Sequence, residues 1–302
     1  MPHRLIGHNL LVMMLSAFAF PAGAQTTKPA ESDAGVLRVL CFNIRYLNEK
    51  DGPDRWSARR DIFFEALTAG DPDLIGLQEV VHAQAEEIRA NLSAYDFVGV
   101  GRDDGKHKGE YSPILFKRDR FEKLDEGHVW LSETPDVVGS KGWDANLPRL
   151  ATWVKLADRR QGNRVFVFLN THFDHLGHVA RVESAKLLRD KLAELAPSLP
   201  VIITGDFNTT EDAEPYRTLV NPAGDDSLKL IDAYRAAHPR RSPDEATFGG
   251  FRGIRTGSRI DWILHTPHWQ TRSAEIDRMN KAGRYPSDHY PVRAELKWIE
   301  TK

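Results

Sequence analysis

Val201-Ile202-Ile203-Thr204-Gly205-Asp206-Phe207-Asn208 is a short uncharged run that stops at a carboxylate and an amide. Pro200 precedes it, and residues 201–205 are too few and too apolar for anything but a buried strand. A charge at the end of such a strand is costly unless it is paired, hydrogen-bonded or bound to a metal. The same pattern recurs on both sides of it. Cys41-Phe42-Asn43, Gly76-Leu77-Gln78-Glu79 and Asn170-Thr171-His172 end apolar runs, Arg259-Ile260-Asp261-Trp262 opens one, and Ser287-Asp288-His289 precedes the last. Strand ends on a rigid scaffold are where loops gather chemistry.

Between these segments the spacing predicts strands over 36–46, 74–80, 96–102, 112–117, 128–131, 201–205, 260–264, 273–277 and 292–298. It also predicts a hairpin pair, 151–156 with 164–170, turning at Arg160-Gln161-Gly162-Asn163. Helical spacing covers 57–69, with Ile62, Phe63, Ala66 and Leu67 on one face, then 83–92 and 179–195. Helices early in each half with antiparallel hairpins between them fit two packed sheets under outer helices better than one parallel sheet.

The 302 residues carry 41 Lys and Arg against 43 Asp and Glu, a balance that excludes the basic excess of a strong nonspecific nucleic-acid binder but not a local basic groove. His3 and Arg4, an apolar run over 10–20, Pro21 and then Ala22-Gly23-Ala24 read as an export signal cleaved before Gln25, so a secreted or periplasmic protein without stable membrane insertion is expected. Residues 25–35 are a polar lead-in, and 36–302 form one domain without linker or repeat. Cys41 is the single cysteine, which excludes an intramolecular disulfide and a multi-thiolate zinc site; it reads as a small buried apolar residue.

In this order the six segments resemble the endonuclease/exonuclease/phosphatase superfamily, which includes deoxyribonuclease I, exonuclease III, sphingomyelinases, inositol polyphosphate phosphatases and deadenylases. The resemblance runs from about Val36 to Trp298. The variants Asn43-Ile44-Arg45-Tyr46, Asn170-Thr171-His172-Phe173-Asp174-His175 and Gly142-Trp143-Asp144 look most like a secreted bacterial branch. It implies a deoxyribonuclease-I-like α/β fold, a four-layer sandwich of two mostly antiparallel β-sheets flanked by helices. It also implies a monomeric, metal-dependent hydrolase of phosphate esters without a covalent intermediate, its site in a cleft at one rim.

Hydrolysing a phosphate ester means placing water in line with the leaving oxygen and neutralising charge on the phosphorus oxygens, a task for hard oxygen ligands and Mg²⁺ or Mn²⁺. Glu79 is the leading metal ligand, Asn43 is expected to add an amide oxygen, and the resemblance implies Asp288 at or near the same ion. Asp206 is the candidate for orienting or deprotonating the water, and Asn208 for donating an amide N–H to a phosphate oxygen. His172 and His289 would set two imidazoles on the phosphate, each kept cationic by a carboxylate behind it: Asp261 behind His289, as the resemblance implies, and Glu110 behind His172.

Plainer readings exist for each residue alone. Asp206 and Asn43 suit turns, Glu79 a helix N-terminus, and His172 a structural histidine; only their conjunction argues chemistry. Glu110 also reads as surface, and Asp174 and His175 as either substrate contacts or solvated loop. Trp143, in the loop 139–147, either stacks on a substrate ring or packs its loop onto the body. Trp56 is expected to pack the start of the first helix. Lys106-His107-Lys108 either contacts an anionic substrate or is simply solvated. The stretch 249–257 lacks phosphate-loop spacing and reads as a mobile loop. No Gly-x-Ser-x-Gly or His-Glu-x-x-His occurs, which removes the usual serine-hydrolase and zinc-protease readings.

Three functions follow: a phosphodiesterase or nuclease acting on nucleic acid or nucleotide, a hydrolase of phosphorylated head groups or sugars of the sphingomyelinase or phosphatase kind, and a noncatalytic binding protein on the same fold. A groove basic over more than about 10 Å would favour polynucleotide, and a small closed pocket a monoester or head group. No exposed aromatic hairpin marks a membrane-active sphingomyelinase.

Overall fold

A computed structural model describes residues 1–3, 35–220 and 228–299. The expected export signal and lead-in fall, apart from residues 1–3 and Gly35, outside the described residues. Among these, no helix is long and apolar enough to cross a membrane.

The first half runs β1 (Val36–Asn43), α1 (Trp56–Thr68), β2 (Leu74–Gln78), α2 (His82–Asn91), β3 (Tyr95–Val98), β4 (Ile114–Lys117) and β5 (Phe121–Trp130). The second runs β6 (Leu150–Asp158), β7 (Arg164–His172), α3 (His178–Leu195), β8 (Val201–Asp206), α4 (Glu214–Val220), β9 (Ile231–Asp232), α5 (Ala233–Ala237), β10 (Asp261–His265), β11 (Trp269–Ile276) and β12 (Val292–Trp298). They build two six-stranded sheets, ordered β11-β12-β1-β2-β4-β3 and β5-β6-β7-β8-β10-β9. Each sheet is antiparallel except for one central parallel pair, β1 with β2 and β7 with β8. A helix, α1 or α3, makes each parallel crossover.

The central strands are apolar on both faces because both faces are covered. Leu37, Val39 and Cys41 of β1, Phe166 and Phe168 of β7 and Ile202 of β8 join one core cluster containing residues of both sheets. The alternate residues turn outward: Leu40 and Phe42 pack with Trp56, Phe63, Ala66 and Leu67 of α1, while Val167, Leu169, Val201 and Ile203 pack with Ala185, Leu188 and Leu192 of α3. The result is a four-layer helix–sheet–sheet–helix sandwich. Cys41 is buried and free, and Trp56 packs the start of α1 on Phe63 at 4.9 Å, both as the sequence suggests.

Several boundaries differ from expectation. β5 begins at Phe121, not 128, because its first half is a sheet edge whose exposed residues Glu122–Glu126 carry no apolar pattern. The strand expected at 96–102 ends at Val98, where the chain leaves for the loop carrying Arg102 and Glu110. The short elements α4, β9 and α5 have no counterpart in the hydrophobic pattern.

One polar staple joins the sheets near the functional rim. Asn170 donates to Leu77 O at 2.6 Å and Pro113 O at 3.0 Å, and its Oδ1 accepts from Gln78 at 2.6 Å and Thr204 at 2.9 Å. Asn170 therefore holds the sheets together rather than facing the cleft. The contact requires Gly76: a Cβ there would sit 2.0 Å from Thr204 Oγ1.

Candidate active site

Parallel strands leave a sheet at the same rim, so β1 delivers Asn43, β2 delivers Glu79 one residue past its end, β7 delivers His172 and β8 delivers Asp206. Antiparallel neighbours enter at that rim: Asp261, first residue of β10, pairs with Asp206, and Asp288-His289 lies just ahead of β12. Glu79, His172, Asp206, Asn208, Asp288 and His289 line one cleft of about 580 Å³, together with Arg45, Tyr46, Glu110, Arg149, His175 and Phe248.

Asn43 sits between two carboxylates. Its Nδ2 donates to Glu79 Oε1 at 3.0 Å and to Asp206 Oδ2 at 2.9 Å. Its amide oxygen accepts the Arg45 N–H at 3.0 Å. The Tyr46 N–H at 3.2 Å fixes the second Glu79 oxygen. Ser287 Oγ donates to Asn43 O at 2.7 Å and lies 3.2 Å from Asp288 Oδ1, drawing the β12 approach against β1. Arg45 lies 3.9 Å from both Glu79 and Asp288. Arg45, Glu79 and Asn208 hold left-handed backbones, with φ of 57°, 61° and 48°. Such strained non-glycine residues concentrate at functional sites.

Asp206 is the centre. The Asn208 N–H holds its Oδ1 at 2.9 Å, and His172 Nε2 and His289 Nε2 stand 3.5 and 3.8 Å from its Oδ2. Burial and the Asp261 charge push its pKa up to about 7, against the lowering effects of His289, Asn43 and the Asn208 N–H. His289 Nδ1 lies 2.9 Å from Asp261 Oδ2. Burial opposes charge on His289, yet Asp261 and Asp206 outweigh it and hold its pKa well above the usual histidine range.

The two histidines are not equivalent, which corrects one expectation. His172 Nδ1 is 3.8 Å from Glu110, beyond hydrogen-bond reach. Glu110 instead forms a forked pair with Arg102, at 2.8 and 3.0 Å. Burial, with Arg149 and Arg102 nearby, drives the His172 pKa well below its ordinary value, so this ring is neutral. Asn208 Nδ2 lies 3.0 Å from His172 Nε2 and also donates to Phe173 O at 3.1 Å, so neither amide N–H is free for a phosphate as expected.

Asp174 is buried behind the cleft wall. It accepts from the Leu176 and Gly177 N–H groups at 3.0 and 2.7 Å and from Leu147 N–H and Arg149 Nε at 3.3 Å. It anchors the wall and is not among the cleft lining. His175 is, with Nδ1 2.9 Å from Arg149 Nη2. Trp143 stays off the lining, its N–H held by Glu133 at 3.0 Å, and Lys106 and Lys108 are exposed outside it. Within 249–257, the Gly249 and Gly250 N–H groups bond Asp288 O at 2.7 and 2.9 Å. Phe248, just before, sets its ring edgewise on His289 at 5.1 Å.

The sequence reading assigned no role to Arg45 or Arg149. Arg149 is 4% exposed, with Nη1 unpartnered. A charge at the entry to the apolar run Leu150-Ala151 is the same strand-end signal that marked Asp261, and it would have found this residue.

A sequence profile of the Endonuclease/Exonuclease/phosphatase family matches residues 40–289. The chain belongs to that family. Its members hydrolyse phosphate esters and use divalent metals. The endonuclease/exonuclease/phosphatase protein of Bacteroides vulgatus is 38% identical, with a TM-score of 0.80, over 87% of this chain and 99% of that one. A mannosyl-6-phosphatase of Bacteroides thetaiotaomicron is 37% identical, with a TM-score of 0.78, over 87% of this chain and all of the other. Rat nocturnin is 24% identical over 289 residues, 84% of this chain, and the match spans 63% of nocturnin's length.

The donor set fits a hard divalent ion. Glu79 and Asp288 bring carboxylate oxygens to the same side of the cleft, and burial and the Glu79 charge raise the Asp288 carboxyl above its usual range against the lowering effects of His289 and Arg45. A cation between the two would relieve that repulsion. Asp206, Asp261 and His289 also cluster, with ligand atoms within 4.8 Å. There the 2.9 Å His289–Asp261 hydrogen bond already engages one ring nitrogen.

Proposed function

We propose that this family member hydrolyses a small phosphorylated substrate, a sugar phosphate monoester, and that the reaction depends on Mg²⁺ or Mn²⁺. The observation that carries this reading is the size and charge of the cleft. About 580 Å³ suits a phosphosugar. Its lining alternates Arg45 and Arg149 with Glu79, Glu110, Asp206 and Asp288, and so lacks the continuous basic stripe a polynucleotide needs. Likeness to the mannosyl-6-phosphatase supports the same class. A nuclease remains the second reading, since the family includes endonucleases and exonucleases.

In this reading Glu79 and Asp288 hold the ion, with Asn43 spacing Glu79 from Asp206. The bound ion supplies Lewis-acid charge at the phosphate oxygens. Asp206, with a pKa near neutrality, accepts the proton of the attacking water. His289, cationic against Asp261, donates to a phosphate oxygen or the leaving group. His172 stays neutral and, through Asn208, fixes the Asp206 turn. Arg149, on the cleft lining, adds positive charge beside the substrate phosphate.

The test is a panel of hexose phosphates, nucleotides, bis-p-nitrophenyl phosphate, sphingomyelin, DNA and RNA, each with Mg²⁺ and with chelator, beside an Asp206→Ala control. Chelator-sensitive phosphate release from a hexose phosphate, lost in the control, is expected. Preferential cleavage of DNA or RNA would replace this reading, and equal rates for both proteins would make the chain a binding protein. A secreted or periplasmic location and a monomeric state belong to the same proposal, checked by fractionation and light scattering.

A further inference from the structure

Lys106-His107-Lys108 has no part in the cleft, yet its histidine is placed with care. His107 stacks on His82, the first residue of α2, with ring centroids 4.2 Å apart and planes at 38°. Both rings direct Nδ1 at one atom, the Tyr111 hydroxyl oxygen, at 3.1 Å from His82 and 3.4 Å from His107. That hydroxyl gives its single proton to Lys106 O at 2.9 Å. Its lone pairs therefore accept, and both imidazoles carry their proton on Nδ1.

This leaves Nε2 of each ring bare. Among the described residues neither Nε2 has a hydrogen-bond partner, and His107 is exposed and His82 half-buried, so an ion in solution reaches them. Metal-binding histidines commonly donate the second ring N–H to a fixed oxygen, which sets tautomer and orientation. Here one hydroxyl, on a tyrosine that is 1% exposed, does so for two rings. Two Nε2 atoms bound to one tetrahedral ion at ~2.0–2.1 Å each stand about 3.3 Å apart. The ring centroids already stand 4.2 Å apart. Imidazole pairs select borderline ions such as Zn²⁺ or Cu²⁺ over Mg²⁺, which demands oxygen.

We infer that His82 and His107 form a second metal site, for a borderline transition-metal ion, separate from the cleft. Tyr111 is the positioning residue, and solvent completes the coordination. An ion there would pin the loop bearing Arg102 and Glu110 to the start of α2. The Tyr111–Val80 backbone bridge, with Tyr111 N–H to Val80 O at 2.7 Å, already joins these segments beside Glu79.

The test is calorimetric titration of the full chain with Zn²⁺ in excess Mg²⁺, for wild type, His82→Ala, His107→Ala and Tyr111→Phe, with circular dichroism confirming each fold. One Zn²⁺ equivalent is expected to vanish in both histidine variants and to bind 10–100-fold more weakly in Tyr111→Phe. Cu²⁺ paramagnetic resonance should show two imidazole nitrogens from this site in wild type and one in either histidine variant. Metal-dependent hydrolysis without Zn²⁺ should match wild type in both, since neither ring touches the cleft. Identical Zn²⁺ stoichiometry and affinity in wild type and both histidine variants would overturn the site and leave the stacked rings a packing contact.

Discussion

Arg59 in α1 donates from Nη1 to the carbonyl of Pro286, 2.8 Å away and 227 residues along the chain. The same guanidinium reaches Ile44 O and Arg45 O, both at 2.7 Å, and Asp54 O at 3.0 Å. Burial pushes its pKa down to about 10, so it remains charged at neutral pH. One side chain thus ties the backbone leaving Asn43 to the backbone approaching Asp288. Lysine is a compact point donor without the planar fork, and Arg59→Lys leaves carbonyls unpaired. A loss of about 2–4 kcal/mol in urea unfolding is expected, with kcat/KM down more than about tenfold. Wild-type unfolding and kinetics in this variant would remove Arg59 from the positioning of the site.

The Asp206, Asp261 and His289 charges set a bell-shaped pH profile. Asp206 must lose its proton to act as base, so kcat/KM should rise with pH through about 7. His289 must keep its proton, so the rate should fall again at a pH well above the ordinary histidine range. Asp261 raises both groups, hence Asp261→Asn should shift both limbs to lower pH and cut the rate about 10²–10⁴-fold. An alkaline limb that stays in place in Asp261→Asn would show that His289 is not the acid.

Asp174 should matter for stability more than for chemistry. Burial raises its carboxyl, but the N–H groups of Gly177, Asn146 and Leu176 and the Arg149 charge outweigh this and hold its pKa below the usual range. A depressed carboxyl stabilises the fold above its unfolded pKa of about 4, and that contribution is lost as pH falls through the folded value. Asp174→Ala should cost about 2–3 kcal/mol at pH 7 and less near pH 2, read from urea midpoints at both pH values. Arg149→Gln, which keeps the wall but removes the charge, should raise KM about tenfold or more with little change in kcat. A large fall in kcat instead would put Arg149 in the chemical step.

The interface between sheets tolerates no extra atom at Gly76. Gly76→Ala drives a methyl to 2.0 Å from Thr204 Oγ1 and 2.5 Å from Asn170 Oδ1, and about 3 kcal/mol of destabilisation is expected. Asn170→Ala removes the staple and should cost a similar amount, about 2–4 kcal/mol. Because both act on one contact, the double variant should lose less than the sum, a nonadditivity measurable by a double-mutant cycle. Strict additivity would mean the sheets are not coupled through this pair.

What reads directly from the chain is the set of central elements. The strands around Leu37, Phe168 and Ile202 carry apolar residues on both faces over most of their length, and only burial on both faces gives that pattern, so they are legible without coordinates. Their polar ends are legible for the same reason, since Asn43, Glu79, His172, Asp206, Asp261 and Asp288 interrupt or bound runs that otherwise exclude charge. The edge half of β5 was not legible, because its exposed face leaves no period to read.

The one-dimensional pattern determined which residues meet at the rim, because strand direction and apolar length fix where each strand ends. It did not determine what each group does there. His172 and His289 look alike in the sequence, each near the end of an apolar segment. Only the tertiary structure made one neutral and the other cationic: Asp261 comes within 2.9 Å of His289, while Arg102 holds Glu110 away from His172. The same holds for Asn170 and Asp174, which sit in site-like motifs yet turn to the sheet interface and the cleft wall. Charge interactions fall off over a few ångströms, and such distances are set by packing between segments that the order of residues does not encode locally.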